Sequence, residues 1–373
     1  MESKKYSCEK CGRDFEKKSQ HTAHMNRKTP CINDAKMREI IDNAVNQKMT
    51  ELGIIQKMPV SSKITKPILK WVGGKTQIID KLLSSFPTKI NNYREMFLGG
   101  GSVLLALLSY VKQGHIRIDK NIYAYDLNEP LIYMYKNIQS NPRELFDELQ
   151  NLISIFNRCP DSGTLNRSPT TIEEAMEMKE NYYYWIRMSY NQLTADDKKT
   201  IRGSAMFIFL NKTCFRGVFR VGPRGFNVPY GHYKNPEIIS EEHLMEIHDL
   251  IQPVIFQCCD FKESFASSEE GDFAYLDPPY APETITSFVG YTENGFSTET
   301  HIELFQLIHT LTKKNVKIMM SNSSVELVHS NFNPEMYNIT TVLCKRSINS
   351  KTPDAKTNEV IITNYNQDSN LSK

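Results

Sequence analysis

From Pro67 onward, short continuous apolar runs alternate with stretches in which apolar residues recur every three or four positions. Tyr93-Arg94-Glu95-Met96-Phe97 reads as a strand; glycines follow, and then a helical pattern over Val103–Tyr110. Ile122–Asp126 is a second strand with a helix behind it, and Val254–Cys258, Phe273–Leu276, Val316–Ser321 and Val360–Thr363 are further short strands. Strands that alternate with helices in this way predict an α/β domain around a mostly parallel sheet. Helical, aromatic-rich sequence over 131–250 interrupts the alternation and contains a turn-rich stretch, Phe215–Gly231. Ahead of the body, Asp34 is placed to cap a helical pattern that runs to about Leu52, and 53–66 has the character of a linker. Residues 161–171 read as a surface loop, and the tail after Tyr365 is expected to be disordered. The predicted organisation is a cysteine-containing unit over 1–33, a helix and linker over 34–66, a body formed by 67–130 and 251–365, an insertion over 131–250, and a tail over 366–373.

Composition narrows the class without deciding it. At 373 residues, 40% apolar and 24% charged, the chain is long enough for a sizeable core. No run approaches the roughly 18 apolar residues of a membrane span, and Met1–Lys5 lacks the apolar centre of a signal peptide. An intracellular setting is therefore expected. Charge is unevenly spread. Residues 1–66 hold 14 Lys and Arg against 8 Asp and Glu, whereas the remainder holds 31 against 35. A basic leading module on a slightly acidic body suggests an anionic partner such as nucleic acid.

Eight cysteines are too few for a disulfide scaffold, so thiols or metal ligands are expected. Cys8 and Cys11 stand two residues apart, His24 follows after twelve, and Cys31 after six more. Zinc takes four such ligands in a tetrahedron, and a unit this small has no core without it. Tyr6 and Phe15 occupy the positions where a small ββα finger keeps its aromatic residues, and His21 falls where a packed residue belongs. Cys8, Cys11, His24 and Cys31 are thus the expected ligands of one structural zinc ion, in a unit similar to a C2H2-type finger with cysteine as its last ligand. Lys17, Lys18, Arg27 and Lys28 are its candidate phosphate contacts. A lone finger reads few bases, so recruitment or docking is an equal reading of its role.

Four segments of the body carry chemistry. Phe97-Leu98-Gly99-Gly100-Gly101 marks a strand-to-helix turn where the backbone can approach a ligand closely. Asp126 ends the next strand, where an acid accepts ribose hydroxyls or merely caps a helix. Asp277-Pro278-Pro279-Tyr280 follows an apolar strand directly. Its prolines stiffen the strand end and leave carbonyls exposed beside an acid, a paired acceptor for an amino group, and the tyrosine offers a flat face for a base. Lys70-Trp71-Val72-Gly73-Gly74-Lys75-Thr76 suggests a P-loop, but Leu69 stands where that motif needs glycine, which excludes an ATPase reading. Trp71 is left as an aromatic wall for a cofactor.

These segments, in this order, resemble the Dam-type DNA adenine methyltransferases over about Pro67 to Tyr365. The resemblance also covers Asn211 to Gly217, Gly225 to Gly231, Ser321-Asn322 and Lys345 to Ile348. It implies a Rossmann-like, S-adenosylmethionine-dependent catalytic domain with a helical target-recognition insertion. By that resemblance Trp71, Lys75, Phe97, Gly99, Gly101, Asp126, Asp260, Phe261 and Asp277 would hold the cofactor. Asp277, Pro278, Pro279 and Tyr280 would hold the target base. Lys70, Arg216, Arg220, Asn227 and Pro229 would contact double-stranded DNA. The family commonly has Asn at the position of Arg216, while Arg220 matches its base-reading arginine. The zinc finger is an addition to the bacterial pattern and suggests a eukaryotic setting, for instance a large DNA virus.

The implied reaction is methylation of adenine N6, flipped out of a short palindromic duplex site, with GATC favoured over CATG. Cytosine-N4 or RNA methylation is the competing enzymatic reading, because a flat amine of either kind fits the Asp277–Tyr280 cradle. A decayed enzyme that serves as a zinc-finger DNA-binding scaffold is the reading from another class.

Overall fold

The computed structural model describes residues 6–8, 14–15, 17–26, 64–234, 236, 238–282, 296–345 and 356–366. The chain divides into two compact units, Met1–Ser61 with Ser369–Lys373, and Ser62–Asp368.

In the smaller unit, β1 (Tyr6–Ser7) pairs antiparallel with β2 (Asp14–Phe15), and the helix Lys18–Met25 follows, which is the expected ββα order. Cys8 and His24 are buried. The Phe15 ring lies 4.8 Å from His24 and 5.8 Å from His21, so His21 packs among the aromatics, in keeping with its position. Cys11, Cys31, Arg27, Lys28 and the helix expected from Asp34 lie outside the described residues. Among the described residues no three potential metal ligands come together, so the geometry does not carry the zinc expectation.

The larger unit is built on a seven-stranded sheet. Its strands are β4 (Tyr93–Glu95), β6 (Ile122–Asp126), β9 (Val254–Cys258), β10 (Phe273–Leu276), β11 (Lys317–Ser323), β12 (Asn338–Lys345) and β13 (Lys356–Thr363). Their spatial order is β12-β13-β11-β10-β4-β6-β9. Five neighbouring strands, β11 to β9 in that order, are parallel, and β13 is antiparallel to both its neighbours. Three of the expected strands have the expected bounds. β13 starts four residues earlier than Val360, β11 runs on to Ser323, and β12 is an addition to the expected set.

Period-two alternation puts successive residues on opposite faces. Tyr93, Phe273 and Tyr275 join one apolar cluster with the helices Ser102–Lys112 and Glu129–Ser140. Ala274, Leu276, Ile318, Met320 and Ile362 join another with the helix Thr298–Lys313. Covered on both faces, β10 is buried at every position, which explains its uninterrupted apolar run. The strand β10 is tied to β4 at its start by a fully enclosed ion pair, Arg94 Nε to Asp272 Oδ2 at 3.0 Å. Arg94 also donates to the Tyr125 hydroxyl and the Ser267 carbonyl, and Asp272 accepts from Asn92 Nδ2.

The chain lays β6 and β9 to one side of β4, then crosses over to lay β10 and β11 on the other. The order therefore reverses between β4 and β10, and in an open parallel sheet ligands settle beyond the carboxyl ends of the strands at that point. The insertion is helical as expected, with Pro142–Arg158, Lys179–Gln192 and the largely buried Ile201–Thr213 as its main elements. A 3₁₀ turn, Phe215–Gly217, and a small hairpin of β7 (Val221–Gly222) and β8 (Gly225–Phe226) follow, and the helix Glu241–Ile251 leads back to β9, whereas a minor parallel pair, β3 (Lys89–Ile90) and β5 (Arg117–Ile118), lies apart from the main sheet.

Candidate active site

Beyond the carboxyl ends of β4, β6, β9 and β10 lies a cavity of about 1590 Å³. Single-ligand pockets span roughly 300–1,000 Å³, so this one has room for two ligands. Lys70, Trp71, Lys75, Phe97, Gly99, Asp126, Asp260, Phe261, Asp277, Pro278, Pro279, Tyr280 and Arg216 all line it. Gly101 lies behind its wall, and Arg220, Asn227 and Pro229 lie outside it.

The glycine turn after β4 is shaped by its neighbours. Gly101 has φ 69° and starts the helix Ser102–Lys112; a Cβ there would collide with the Tyr135 hydroxyl, which donates to the Gly100 carbonyl at 2.9 Å. At Gly99 and Gly100 a Cβ would meet the Trp71 side chain at 2.9 and 2.7 Å. The need for glycine here is thus met by Trp71 and Tyr135 within the protein itself. Trp71 in turn stacks on Phe219 at 5.7 Å between ring centroids, which joins the first motif to the turn-rich stretch.

Asp126 secures the same turn. Its Oδ2 accepts the Gly99 N–H at 2.9 Å and its Oδ1 accepts the Asn128 N–H at 2.8 Å. The following helix is capped by Asn128, whose side chain accepts from Leu131 N, so Asp126 is not the cap. Burial pushes the Asp126 carboxyl up, and those N–H donors hold it down in part. Asp260 caps the short helix Phe261–Ser264 by accepting from Lys262 N at 2.9 Å. Phe97, Phe261 and Phe296 form an aromatic wall with centroids 5.9 to 6.1 Å apart.

The Asp277–Tyr280 turn is held from several elements. Lys75, almost fully buried, places Nζ 2.7 Å from Asp277 Oδ2, while Asp277 is one-fifth exposed. Lys75 also donates to the Gly73 carbonyl at 2.6 Å and lies 4.9 Å from the Tyr280 ring centroid. Burial pushes the Asp277 carboxyl up, and Lys75 pulls against that shift. The other oxygen, Asp277 Oδ1, is buried and has no hydrogen-bond partner among the described residues. Such an atom is costly unless it receives a donor. His301 Nε2 lies 3.0 Å from the Pro279 carbonyl oxygen. Asn322 Oδ1 accepts from Ala281 N at 3.0 Å, and Ser323 Oγ donates to the Ala281 carbonyl at 2.6 Å. The Tyr280 hydroxyl donates to Glu359 Oε2 at 2.7 Å. Below them Glu95 accepts from the Tyr93 hydroxyl at 2.7 Å, and burial pushes its carboxyl up to about 8.

Sequence reasoning misses His301, Phe296 and Glu359. Glu359 sits in the polar first half of β13, and His301 carries only a helical period as its signal. Ser321-Asn322 stands out in the sequence as a motif, and the structure adds its contacts: Asn322 fixes Ala281, and the Ser321 hydroxyl lies 3.0 Å from the Tyr275 hydroxyl.

In the turn after the helix Ile201–Thr213, Arg216 has φ 56°, a left-handed conformation that asparagine adopts more readily than arginine. A Cβ at Gly217 would strike Lys70, whose backbone N–H donates to Asn211 Oδ1 and whose carbonyl accepts from Asn211 Nδ2. The loop and the first motif are therefore locked together by Asn211. Arg220 Nε donates to Asn227 Oδ1 at 2.7 Å, so these two predicted DNA contacts are one exposed, preformed pair. The Pro229 carbonyl accepts from Phe215 N, and Phe215 itself is 46% exposed beside the loop.

Residues 71–348 match the family described as D12 class N6 adenine-specific DNA methyltransferase. Among relatives, the Type II methyltransferase M.MjaIII of Methanocaldococcus jannaschii is 36% identical over 310 residues, 80% of this chain and 99% of that protein. The DNA adenine methylase of Haemophilus influenzae is 29% identical over 276 residues, 73% of this chain and 83% of its own length. That of Escherichia coli strain K12 is 27% identical over 290 residues, 77% and 91%. These relatives are archaeal and bacterial, and they lend nothing to the viral setting suggested by the finger. A solved precorrin-8w decarboxylase structure aligns over 78% of this chain and 90% of its own, with 11% identity and a TM-score of 0.31, a superposition too loose to bear on the fold.

Proposed function

The chain belongs to the D12 class of N6 adenine-specific DNA methyltransferases, and from that premise we propose that it methylates adenine N6 in a short palindromic duplex site, using S-adenosylmethionine. GATC is the favoured site and CATG the rival. The observation that carries the reading is the buried, unpartnered Asp277 Oδ1 on the wall of the cavity.

The residues fit the cofactor. Two acids, Asp126 and Asp260, stand at the ends of β6 and β9, and an apolar aromatic wall of Phe97, Phe261 and Phe296 stands beside them. Asp126 keeps lone pairs beyond the two that its N–H donors use, so it can accept ribose hydroxyls as well. When bound, S-adenosylmethionine supplies an electrophilic methyl group.

The protein's part is to prepare the nucleophile. An adenine amino group is delocalised into its ring and is inaccessible inside a duplex, so the base is taken out of the stack. Asp277 Oδ1 and the Pro278 carbonyl accept its two N–H bonds, which favours the tetrahedral nitrogen that attacks. Tyr280 supplies the face against which the base stacks. Lys75 pulls Asp277 back against the upward push of burial, which favours its ionised, acceptor-only form. Orientation and polarisation are the catalytic contributions.

The exposed Arg220–Asn227 pair supports base reading by the hairpin loop, with Lys70 and Arg216 at the rim of the cavity. Arg216 serves as a phosphate contact in this account. One structural zinc ion on Cys8, Cys11, His24 and Cys31 remains a proposal from the spacing of those residues in the sequence. The test of the reaction is transfer of radiolabelled methyl to unmodified duplex DNA, single-stranded DNA and RNA, followed by nucleoside analysis. Label in N6-methyladenosine from RNA, or in N4-methylcytosine, overturns the reading.

A further inference from the structure

The geometry points to Glu359 as a positioning residue for methyl transfer, acting through the hydroxyl of Tyr280. This rests on the reading of Asp277–Tyr280 as the cradle of the target base.

Glu359 lies on β13, the strand that is antiparallel to both its neighbours, 79 positions along the chain from Tyr280. It pairs with Ser323 on one side and Val342 on the other, so its backbone is fixed at an interior position of the sheet. The side chain reaches the cavity wall and accepts the Tyr280 hydroxyl at 2.7 Å. That distance is the ordinary one for a well-formed O–H···O hydrogen bond. Burial and the neighbouring carboxylates hold the phenol far above its ordinary value, so Tyr280 stays the donor at any working pH.

This bond settles something the turn leaves free. The two prolines and the contacts to His301 and Asn322 fix the backbone around Tyr280, but a tyrosine ring still turns about two side-chain bonds. Anchored at the backbone and at the hydroxyl, the ring has one orientation. A stacking face held in advance costs the incoming base less ordering, and a reacting group misplaced by about 1 Å loses on the order of a hundredfold in rate. Glu359 belongs to a compact cluster with Lys75, Asp277 and Tyr280, in which one cation faces two acids. The Lys75 ammonium is bound to Asp277, so Glu359 is available to the phenol. The neighbouring Cys344 thiol, which burial pushes up to about 11, stays neutral beside it.

The experiment is a double-mutant cycle on the full chain with duplex DNA, reading kcat and KM for methyl transfer. A companion measurement of 2-aminopurine fluorescence at the target position reports the seating of the base. Glu359→Ala is expected to lower kcat on the order of ten- to a hundredfold, with cofactor affinity and melting temperature close to wild type. Glu359→Gln keeps an acceptor oxygen and is expected to recover most of that loss. In a Tyr280→Phe background, Glu359→Ala is expected to cost less than about twofold more, because the hydroxyl it acts through is gone. An equal loss in both backgrounds, or no loss at all, overturns the proposal while leaving adenine methylation standing. A wild-type protein that marks no adenine overturns the functional reading and this proposal with it.

Discussion

Replacing Lys75 with methionine keeps the length and the apolar stem of the side chain and removes its charge. The first effect falls on Asp277. That acid is held above its ordinary value by burial, and the ammonium 2.7 Å away is the strongest influence against that. A group whose folded value is raised stabilises the fold below its unfolded pKa, and that contribution is lost as pH rises through the folded one. Losing Lys75 raises Asp277 further, so the ionised acid becomes costlier and the protonated acid is favoured to a higher pH. An opposite charge within about 4–6 Å lowers an aspartate by about 1–3 pH units. Asp277 is one-fifth exposed, so solvent tempers the effect of the lost ammonium, and its direction is upward. The assay is the rate of methyl transfer from pH 5.5 to 9.5 at saturating cofactor. The acid limb of the Lys75→Met profile should lie alkaline of wild type, so the deficit shrinks as pH rises. The melting temperature should show the opposite trend, with a deficit that grows from pH 5 to pH 8. A variant that loses the same factor in rate at every pH would refute the reasoning and leave Lys75 as a cofactor contact alone.

Other consequences are equally concrete. Asp272→Ala leaves Arg94 charged and enclosed, which should cost about 3–5 kcal/mol in urea unfolding; a change under about 1 kcal/mol would show that the pair does not tie β10 to β4. Asp126→Ala frees the Gly99 N–H and should weaken cofactor binding in calorimetry before it affects the chemical step, and unchanged affinity would contradict its place at the cofactor. Arg220→Ala should relax discrimination at the outer base pair by about 1–3 kcal/mol, measured on substituted sites at one salt concentration, and an unchanged preference would remove Arg220 from base reading. Metal analysis should find one zinc per chain, lost on chelation, and none in a chain beginning at Ser61; stoichiometric zinc in the shorter chain would refute the assignment to Cys8, Cys11, His24 and Cys31.

How each element is buried decides how legible it is in the sequence. The strand β10 is covered on both faces and reads as an unbroken apolar run, so the acid after it is visible as a strand-end residue. The edge strand β12 buries only Val342 and Cys344 among its described side chains and exposes Thr340, Thr341 and Leu343, and its weak apolar signal hides it. At the start of β13 the polar residues Thr357, Asn358 and Glu359 line the cavity, and the apolar pattern begins only at Val360. Pairings such as Tyr280 with Glu359, or Trp71 with Phe219, join residues far apart in the chain, and periodicity is blind to them. The glycine turn illustrates the opposite risk. Its residues suggest space for a ligand, and the structure fills much of that space with Trp71 and Tyr135.

The account stands on Asp277 as the acceptor of an adenine amino group. The most direct test is methylation-aware sequencing of unmodified DNA incubated with S-adenosylmethionine and either the wild-type protein or Asp277→Ala, with cofactor affinity measured for both. The account predicts N6-methyladenine at one short palindrome with the wild type, and no mark with the variant although it still binds cofactor. Methylated cytosine with the wild type, or adenine still marked at the same rate by Asp277→Ala, would contradict it.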